Sequence, residues 1–154
     1  MEETLAAFKR IYDAGKTKSV GVSNFSIDQV DRARAISQAP ISVNQVEYHV
    51  RYNTEELLQH CTKYHIVLTA HCPLAKGTIG NEPILTTTAS TIAEKHGKTS
   101  AQVALRWLIQ KGLIAIPKAS SESHLRENLN LFDWELTPEE MQQIDSVDRG
   151  SHTP

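Results

Sequence analysis

Lys18-Ser-Val-Gly-Val-Ser23 is a short β-branched run, and Phe25-Ser26-Ile-Asp-Gln29-Val30 follows it with a complete helix-start signature. Ser26 can cap the helix, Gln29 can complete a capping box, and Phe25 can staple onto Val30. The same handover from apolar run to helix-like stretch recurs three times. The further runs are Ser42-Val-Asn-Gln-Val-Glu47, Ile66-Val-Leu-Thr-Ala-His71 and Leu113-Ile-Ala-Ile-Pro117. Strands alternating with helices predict an α/β protein with a parallel sheet and crossover helices. Ligands in such folds sit where strand C-termini meet the next loops. Ser23, Asn24, Gln45, His71 and Lys118, which close or follow the runs, are therefore the first site candidates.

The intervening stretches read as helices. Leu5, Phe8, Ile11 and Tyr12 recur at helical spacing over residues 1–16, and Gly15 stands where a C-cap would. Asn53 is the expected N-cap of a helix carrying Leu57, Leu58, Cys61 and Tyr64. A loop with Pro73, Gly77, Gly80 and Pro83 leads to a helix at about 85–96, which Gly97 ends. Thr99 and Gln102 form a capping box, and the following apolar residues surround the helix axis, which predicts a buried helix. Leu125, Leu129 and Phe132 mark a helix after Ser120 or Ser121. Thr137-Pro138-Glu-Glu140 combines a capping box with proline at the first helical position. One domain over residues 1–148 with a frayed tail at 149–154 is expected.

The chain has 154 residues, 22% of them charged, and a net charge of −2. This gives no support for a nucleic-acid or membrane-surface partner, which would favour clustered Lys and Arg. No apolar stretch approaches the roughly 20 residues of a membrane span. Residues 1–16 lack the basic and apolar regions of a signal peptide. Two cysteines, Cys61 and Cys72, predict no disulfide framework and a reducing, cytoplasmic setting. No metal site is expected, because the His and Cys residues lack ligand spacing.

The sharpest local chemistry lies at the fourth handover. A helix N-terminus beside Lys118, with Ser120 and Ser121 as hydroxyl donors and Arg126 and Asn128 one to two turns on, suits phosphate. The bland alternative is a solvated lysine with an ordinary serine cap. No G-x-G-x-x-G or G-x-x-x-x-G-K occurs, so a nucleotide would bind without a Rossmann or Walker loop. Asn44 and Gln45 alternate across a strand, so one of the two is expected to face a polar cavity or a ligand, the alternative being a structural hydrogen bond within the sheet core. Tyr48-His49 is read as structural rather than as an acid/base pair, and an activated Cys72 thiol is not expected from adjacency to His71 alone.

Five motifs stand in order along the chain: Gly21-Val-Ser-Asn-Phe25, Asn44-Gln-Val-Glu-Tyr-His49, Pro73-Leu-Ala-Lys-Gly77, Thr99-x-x-Gln-Val-Ala-Leu-Arg-Trp107, and Ile116-Pro-Lys118 with Glu127-Asn128. Together they closely resemble the aldo-keto reductases over essentially the whole chain. The resemblance implies a TIM-barrel type (β/α)8 fold, here a half barrel of about four parallel strands with surrounding helices. It also implies hydride transfer from NADP(H), with NAD(H) left open, to aldehydes and ketones. By motif, Ser23, Asn24 and Gln45 would bond the nicotinamide carboxamide, and His71 would stack where Tyr is usual. Leu74 and Lys76 would lie along the pyrophosphate, Lys118 and Ser120 at the adenosine-phosphate pocket, and Asn128 at adenine, with Ile116 a further cofactor contact. His124 stands where Arg is frequent in NADPH-preferring members. The family's Asp, Tyr, Lys and His tetrad has no match, because it belongs to the barrel's first half. No catalytic residue is therefore assigned, and the chain is expected to be the C-terminal half, inactive alone, self-associating or pairing with an N-terminal half. The alternative is a non-catalytic nucleotide-binding or interaction subunit.

Overall fold

Four strands and seven helices make up the described chain. The computed structural model describes residues 1–77 and 83–147, with the side chains of 83–86 excepted. The elements run α1 Glu2–Asp13, β1 Val20–Ser23, α2 Ile27–Ile36, β2 Ile41–Glu47, α3 Glu55–Lys63, β3 Val67–His71, α4 Pro83–His96, α5 Ser100–Gln110, β4 Ile114–Ala115, α6 Glu122–Leu129 and α7 Pro138–Asp145. The strands form one parallel sheet in the order β1-β2-β3-β4, as the strand–helix alternation predicts. The fourth strand is shorter than its apolar run: the pairing reaches Ile116, whose N–H donates to the Ala70 carbonyl at 3.3 Å. The expected Gly80 loop position and the tail at 149–154 lie outside the described residues.

The chain divides into two compact units, Met1–Val46 with Thr54–Thr69, and Glu47–Asn53 with Ala70–Pro154. In the first, α1 ends at Ala14, and Gly15 beyond it takes φ +67, a left-handed turn that glycine accepts without strain. Gly21 answers a different demand. A Cβ there would stand 2.8 Å from the Val43 carbonyl oxygen, so only glycine lets β1 and β2 approach this closely. The capping box of Ser26 and Gln29 forms as predicted. The N-cap expected at Asn53 does not. The Thr54 carbonyl accepts the first helical bond, from the Leu58 N–H at 3.0 Å, which makes Thr54 the N-cap, with no side-chain cap bond. On the outer faces of α2 and α3, His60 Nε2 meets Asp31 Oδ1 at 2.9 Å, and the Arg34 guanidinium lies 3.4 Å over the Tyr64 ring. The His60 hydrogen bond, with help from Arg34, holds the Asp31 carboxyl below its usual range.

In the second unit α5 is the core element, with Gln102 through Leu108 all buried and Leu105, Trp107 and Leu108 fully so. Each such apolar side chain contributes roughly 1.5–3 kcal/mol. The Thr99–Gln102 and Thr137–Glu140 capping boxes both form, the latter with Pro138 at the helix start. The helix that Leu125, Leu129 and Phe132 mark forms as α6 after Ser121, but these side chains are not buried. Leu125, Leu129 and Phe132 are 52%, 73% and 71% exposed, and α6 buries no residue. This helix is held through its backbone instead, as described below.

Glu140 ties α7 to α4. Its carboxylate accepts from Lys95 Nζ at 2.6 Å, from the Thr137 N–H at 2.9 Å, and from His96 Nε2 at 3.0 Å. Burial is the largest single influence on this group and raises its pKa, but the three donors outweigh it and hold the value at about 2, against an ordinary 4.5. A depressed folded-state value means stability present above pH 4.5 and lost as pH falls towards 2. Unfolding followed by urea titration from pH 7 to 2 should show that loss. Glu140→Gln keeps a capping-box acceptor but removes the charge. It should cost on the order of 1–3 kcal/mol at pH 7 and flatten the acid limb.

Candidate functional site

The polar end of β1 is built around one carbonyl. Gln45 O accepts from the Asn24 N–H at 2.8 Å and from the Ser23 hydroxyl at 3.0 Å. Asn24 takes φ +58, a left-handed conformation that Asn tolerates better than most residues. Its exposed side chain makes no hydrogen bond with the described residues. Behind this turn Asn44, 0% exposed, uses both ends of its amide on one residue. Its Nδ2 donates to the Phe25 carbonyl at 2.9 Å, and its Oδ1 accepts the Phe25 N–H at 3.3 Å. Cys61 lies against the same amide. Burial pushes its thiol pKa up, and the hydrogen bond to Asn44 draws it partly back.

Alternation along β2 resolves the Asn44/Gln45 pair. Asn44 is the structural amide, and Gln45 turns to the opposite face and lines a cleft of about 780 Å³. Leu5 and Phe8 of α1, with Ser23, Val43 and Thr69, share that cleft. Asn24 is not among its lining residues.

A second cleft, of about 740 Å³, belongs to the other unit. It gathers seven predicted site residues: His71, Leu74, Lys76, Ile116, Lys118, His124 and Asn128. Cys72, Thr99, Ala101 and Glu127 also face it, and sequence reasoning assigned none of these to the site. Ser120 is not among the lining residues, and Ser121, not Ser120, caps α6, with its hydroxyl accepting the His124 N–H at 3.3 Å. Arg126, a sequence candidate for phosphate, instead pairs with Glu122 at 2.6 Å, both about 78% exposed. One wall is conformationally costly. Cys72, Ala75 and Lys76 all have φ near +50, and Gly77 follows at +83. Left-handed non-glycine residues cost roughly 1–2 kcal/mol each, and such strain clusters at ligand-binding positions. The turn is closed by Ala75 N–H to Cys72 O and Gly77 N–H to Leu74 O, both 2.8 Å.

The cleft carries more basic than acidic side chains. Lys76, Lys118, His71 and His124 stand against the single carboxylate of Glu127, and α6 begins beside His124. Such a donor set suits an extended polyanion. Among the described residues no group of three or more His, Cys, Asp or Glu is placed to hold a metal, and no helix is long and apolar enough to cross a membrane.

His49, tempting beside Tyr48, is a structural residue. It is 1% exposed, its Nδ1 accepts the Arg51 N–H at 3.2 Å, and its Nε2 therefore carries the proton donated to Glu47 at 3.0 Å. Tyr48, fully buried, packs on Trp107 with ring centres 5.8 Å apart.

What sequence reasoning missed is a polar ladder on α5. Lys98, just before the helix, and Gln102, Arg106 and Gln110 on it recur every four residues. Lys98 Nζ reaches Asn130 and Asp133 at 3.2 and 3.1 Å, and Gln102 Nε2 donates to the Glu127 and Asn130 carbonyls at 3.2 and 3.1 Å. Arg106 donates to Leu131 O at 2.9 Å, and Gln110 exchanges two bonds with the Leu136 backbone. The four-residue spacing was the available signal.

Comparison with known proteins agrees with both the motifs and the fold. The aldo/keto reductase family pattern matches residues 1–149, and the chain belongs to that family. It is 38% identical to a glyoxal reductase of Bacillus subtilis over 96% of this chain and 52% of that protein. With aldose reductase B of Dictyostelium discoideum it shares 36% identity over 99% of this chain and 49% of the relative. The structure of a Bombyx mori aldo-keto reductase in complex with NADP superposes with a TM-score of 0.91 at 29% identity, covering 99% of this chain and 52% of that one. A metagenomic aldo-keto reductase from the Medee basin gives 0.90 at 36% identity, covering 96% and 55%. The chain spans about half the length of these relatives.

The Asn44 brace gives a direct test of how the β1 end is held. Asn44→Ala would orphan the Phe25 N–H and carbonyl and should cost on the order of 2–4 kcal/mol in chemical unfolding. Asn44→Asp keeps the acceptor but loses the donor, so it should lie between the two.

Proposed function

We propose that this chain is the cofactor-holding half of an NAD(P)H-dependent reductase of aldehydes and ketones. The observation that carries the proposal is the second cleft, where seven residues at the family's cofactor positions, His71 and His124 among them as departures from its pattern, converge in a chain of this family. In this reading Lys118, with Ser120 nearby, binds the adenosine phosphate, with His124 as a second partner. Lys76 and Leu74 run along the pyrophosphate, Asn128 meets adenine, and His71 stacks on the nicotinamide. Ser23, Asn24 and Gln45 bond the carboxamide. The Gln45 backbone already fixes the Ser23 and Asn24 positions. The bound dihydronicotinamide would supply hydride to the carbonyl carbon. What these residues contribute is binding and orientation. The carbonyl oxygen must gain a proton as hydride arrives, and no residue of this chain is assigned as that acid. The chain alone is therefore inactive, and the Bombyx protein's NADP complex supports the cofactor reading without naming a substrate.

Two edge strands favour a second element of the same reading. β1 and β4 end the sheet, and Ile114 and Ile116, on and just beyond β4, are 48% and 46% exposed. An eight-stranded barrel needs four further strands of about this size. In this proposal a complementary N-terminal half, carrying the tetrad, completes the enzyme.

NADPH binding followed by the cofactor's fluorescence should be saturable and should weaken as salt is raised. Lys118→Ala should weaken NADPH by roughly tenfold or more and NADH by less, since a charge-assisted phosphate contact is worth about 1.5–3 kcal/mol. Absence of saturable binding to the unmodified chain would sink the proposal. Mixing the chain with NADPH and a reactive aldehyde should give no turnover above a buffer blank, and clear turnover would overturn the inactivity.

A further inference from the structure

α6 carries three residues of the second cleft, His124, Glu127 and Asn128, yet none of its own side chains is buried. A helix without an apolar anchor is oriented by whatever grips its backbone. That grip is polar, and it comes from α5. Near the C-terminal end of α6 the carbonyls run out of intrahelical partners. Gln102 Nε2 donates to Glu127 O at 3.2 Å and to Asn130 O at 3.1 Å. The Glu127 carbonyl also takes the Asn130 N–H at 3.1 Å, so the end of the helix and the chain leaving it are pinned at one point. The residue after that carbonyl is Asn128, whose side chain faces the cleft.

Gln102 is 4% exposed, and its amide has no spare capacity on the side that matters. Its Oε1 accepts the Thr99 N–H at 2.9 Å, completing the α5 capping box, while both Nε2 hydrogens go to α6 and its exit. One side chain therefore starts the buried core helix and sets the height and rotation of α6 upon it. Lys98 and Arg106, a turn away on either side, hold Asn130, Asp133 and Leu131, downstream of the cleft residues.

We infer that Gln102 is a positioning residue of the dinucleotide site: it sets the α6 backbone so that His124 and Asn128 present their side chains to the adenosine end of the cofactor. This rests on the cofactor reading above, and it adds a residue that touches no ligand. The two halves of the amide can be separated by chemistry. Gln102→Glu keeps an oxygen for the Thr99 N–H, because Glu completes a capping box as well as Gln. It removes both donations and sets a carboxylate against two carbonyl oxygens.

The test compares the unmodified chain, Gln102→Glu and Glu140→Gln, the last a destabilising change on α7 away from the cleft. Binding of adenosine 2′,5′-bisphosphate is measured by calorimetry, global stability by urea unfolding, and α6 backbone opening by hydrogen exchange. Gln102→Glu should bind the bisphosphate roughly tenfold more weakly, in line with the cost of modest misplacement. Its faster exchange should be confined to α6 and residues 130–131. Glu140→Gln should lose comparable stability while binding normally, which a merely structural role for Gln102 would not produce. Equal affinities for the unmodified chain and Gln102→Glu, or matched losses in both variants, would overturn the inference. If the unmodified chain binds neither the bisphosphate nor NADH, the cofactor reading fails. Exchange then decides the positioning role, and unchanged α6 protection in Gln102→Glu overturns it.

Discussion

A buried amide side chain closing the hydrogen bonds of a connecting segment is the interaction on which both units depend. Backbone N–H and carbonyl groups that leave a strand or helix must find partners, and orphaned buried ones cost about 1–3 kcal/mol each. In the first unit Asn44 meets that demand for Phe25, holding the turn that follows β1. In the second, Gln102 meets it for Glu127 and Asn130, and Gln110 for Leu136. Each amide supplies an acceptor and a donor about 2 Å apart on one rigid plane, which no carboxylate or hydroxyl can match. The same residues fix loop geometry beside the cleft walls. Polar burial is thus the route by which a generic sheet and helix frame acquires a defined rim.

The two units use this device differently. Asn44 sits on the face of β2 opposite Gln45, so strand alternation separates support from presentation within adjacent residues. On α5 the separation follows helical spacing. Thr99 and Ala101 face the cleft, while Lys98, Gln102, Arg106 and Gln110 form the ladder that holds the segment from Glu127 to Leu136. Apolar positions between them, Val103, Leu105, Trp107 and Leu108, fill the core. The eleven-residue helix and the two residues before it thereby carry core, ladder and cleft wall.

Periodicity and capping chemistry made the fold readable before the structure. Three capping boxes, at Ser26, Thr99 and Thr137, are local patterns whose physics is complete within four residues, and all three form. Where the outcome depends on tertiary partners, local reading failed. Asn53 has the chemistry of an N-cap, but the first helical carbonyl belongs to Thr54, and the Asn53 Nδ2 is buried without a partner among the described residues. Leu125 and Leu129 do mark a helix, α6, but it is held from its backbone side and leaves them in solvent. Of the candidates at strand ends, Ser23, Gln45, His71 and Lys118 line clefts, because strand direction fixes where side chains emerge, whereas Asn24 lines neither cleft. Nor does Arg126, since its i−4 neighbour Glu122 captures it on the surface. Cys72 and Glu127 enter the cleft wall through left-handed turns and helix rotation that no short pattern encodes.

A histidine at position 124, in place of an arginine, changes how such a cleft would hold an anion. Two lysines and one glutamate leave one net fixed positive charge (2 − 1 = 1) among its permanently charged side chains. A guanidinium would have raised that to two and offered a planar fork to phosphate. Histidine adds charge only when protonated, and its side chain otherwise offers one ring donor. Retention must then lean on oriented dipoles: the start of α6, the strained 72–77 turn, and the amide of Asn128. Dipolar donors act only at short range and in the right direction, whereas a full charge tolerates an ångström of error. A cleft with few fixed charges therefore needs its α6 wall placed more accurately than one with an arginine, which is the condition that the buried Gln102 grip satisfies.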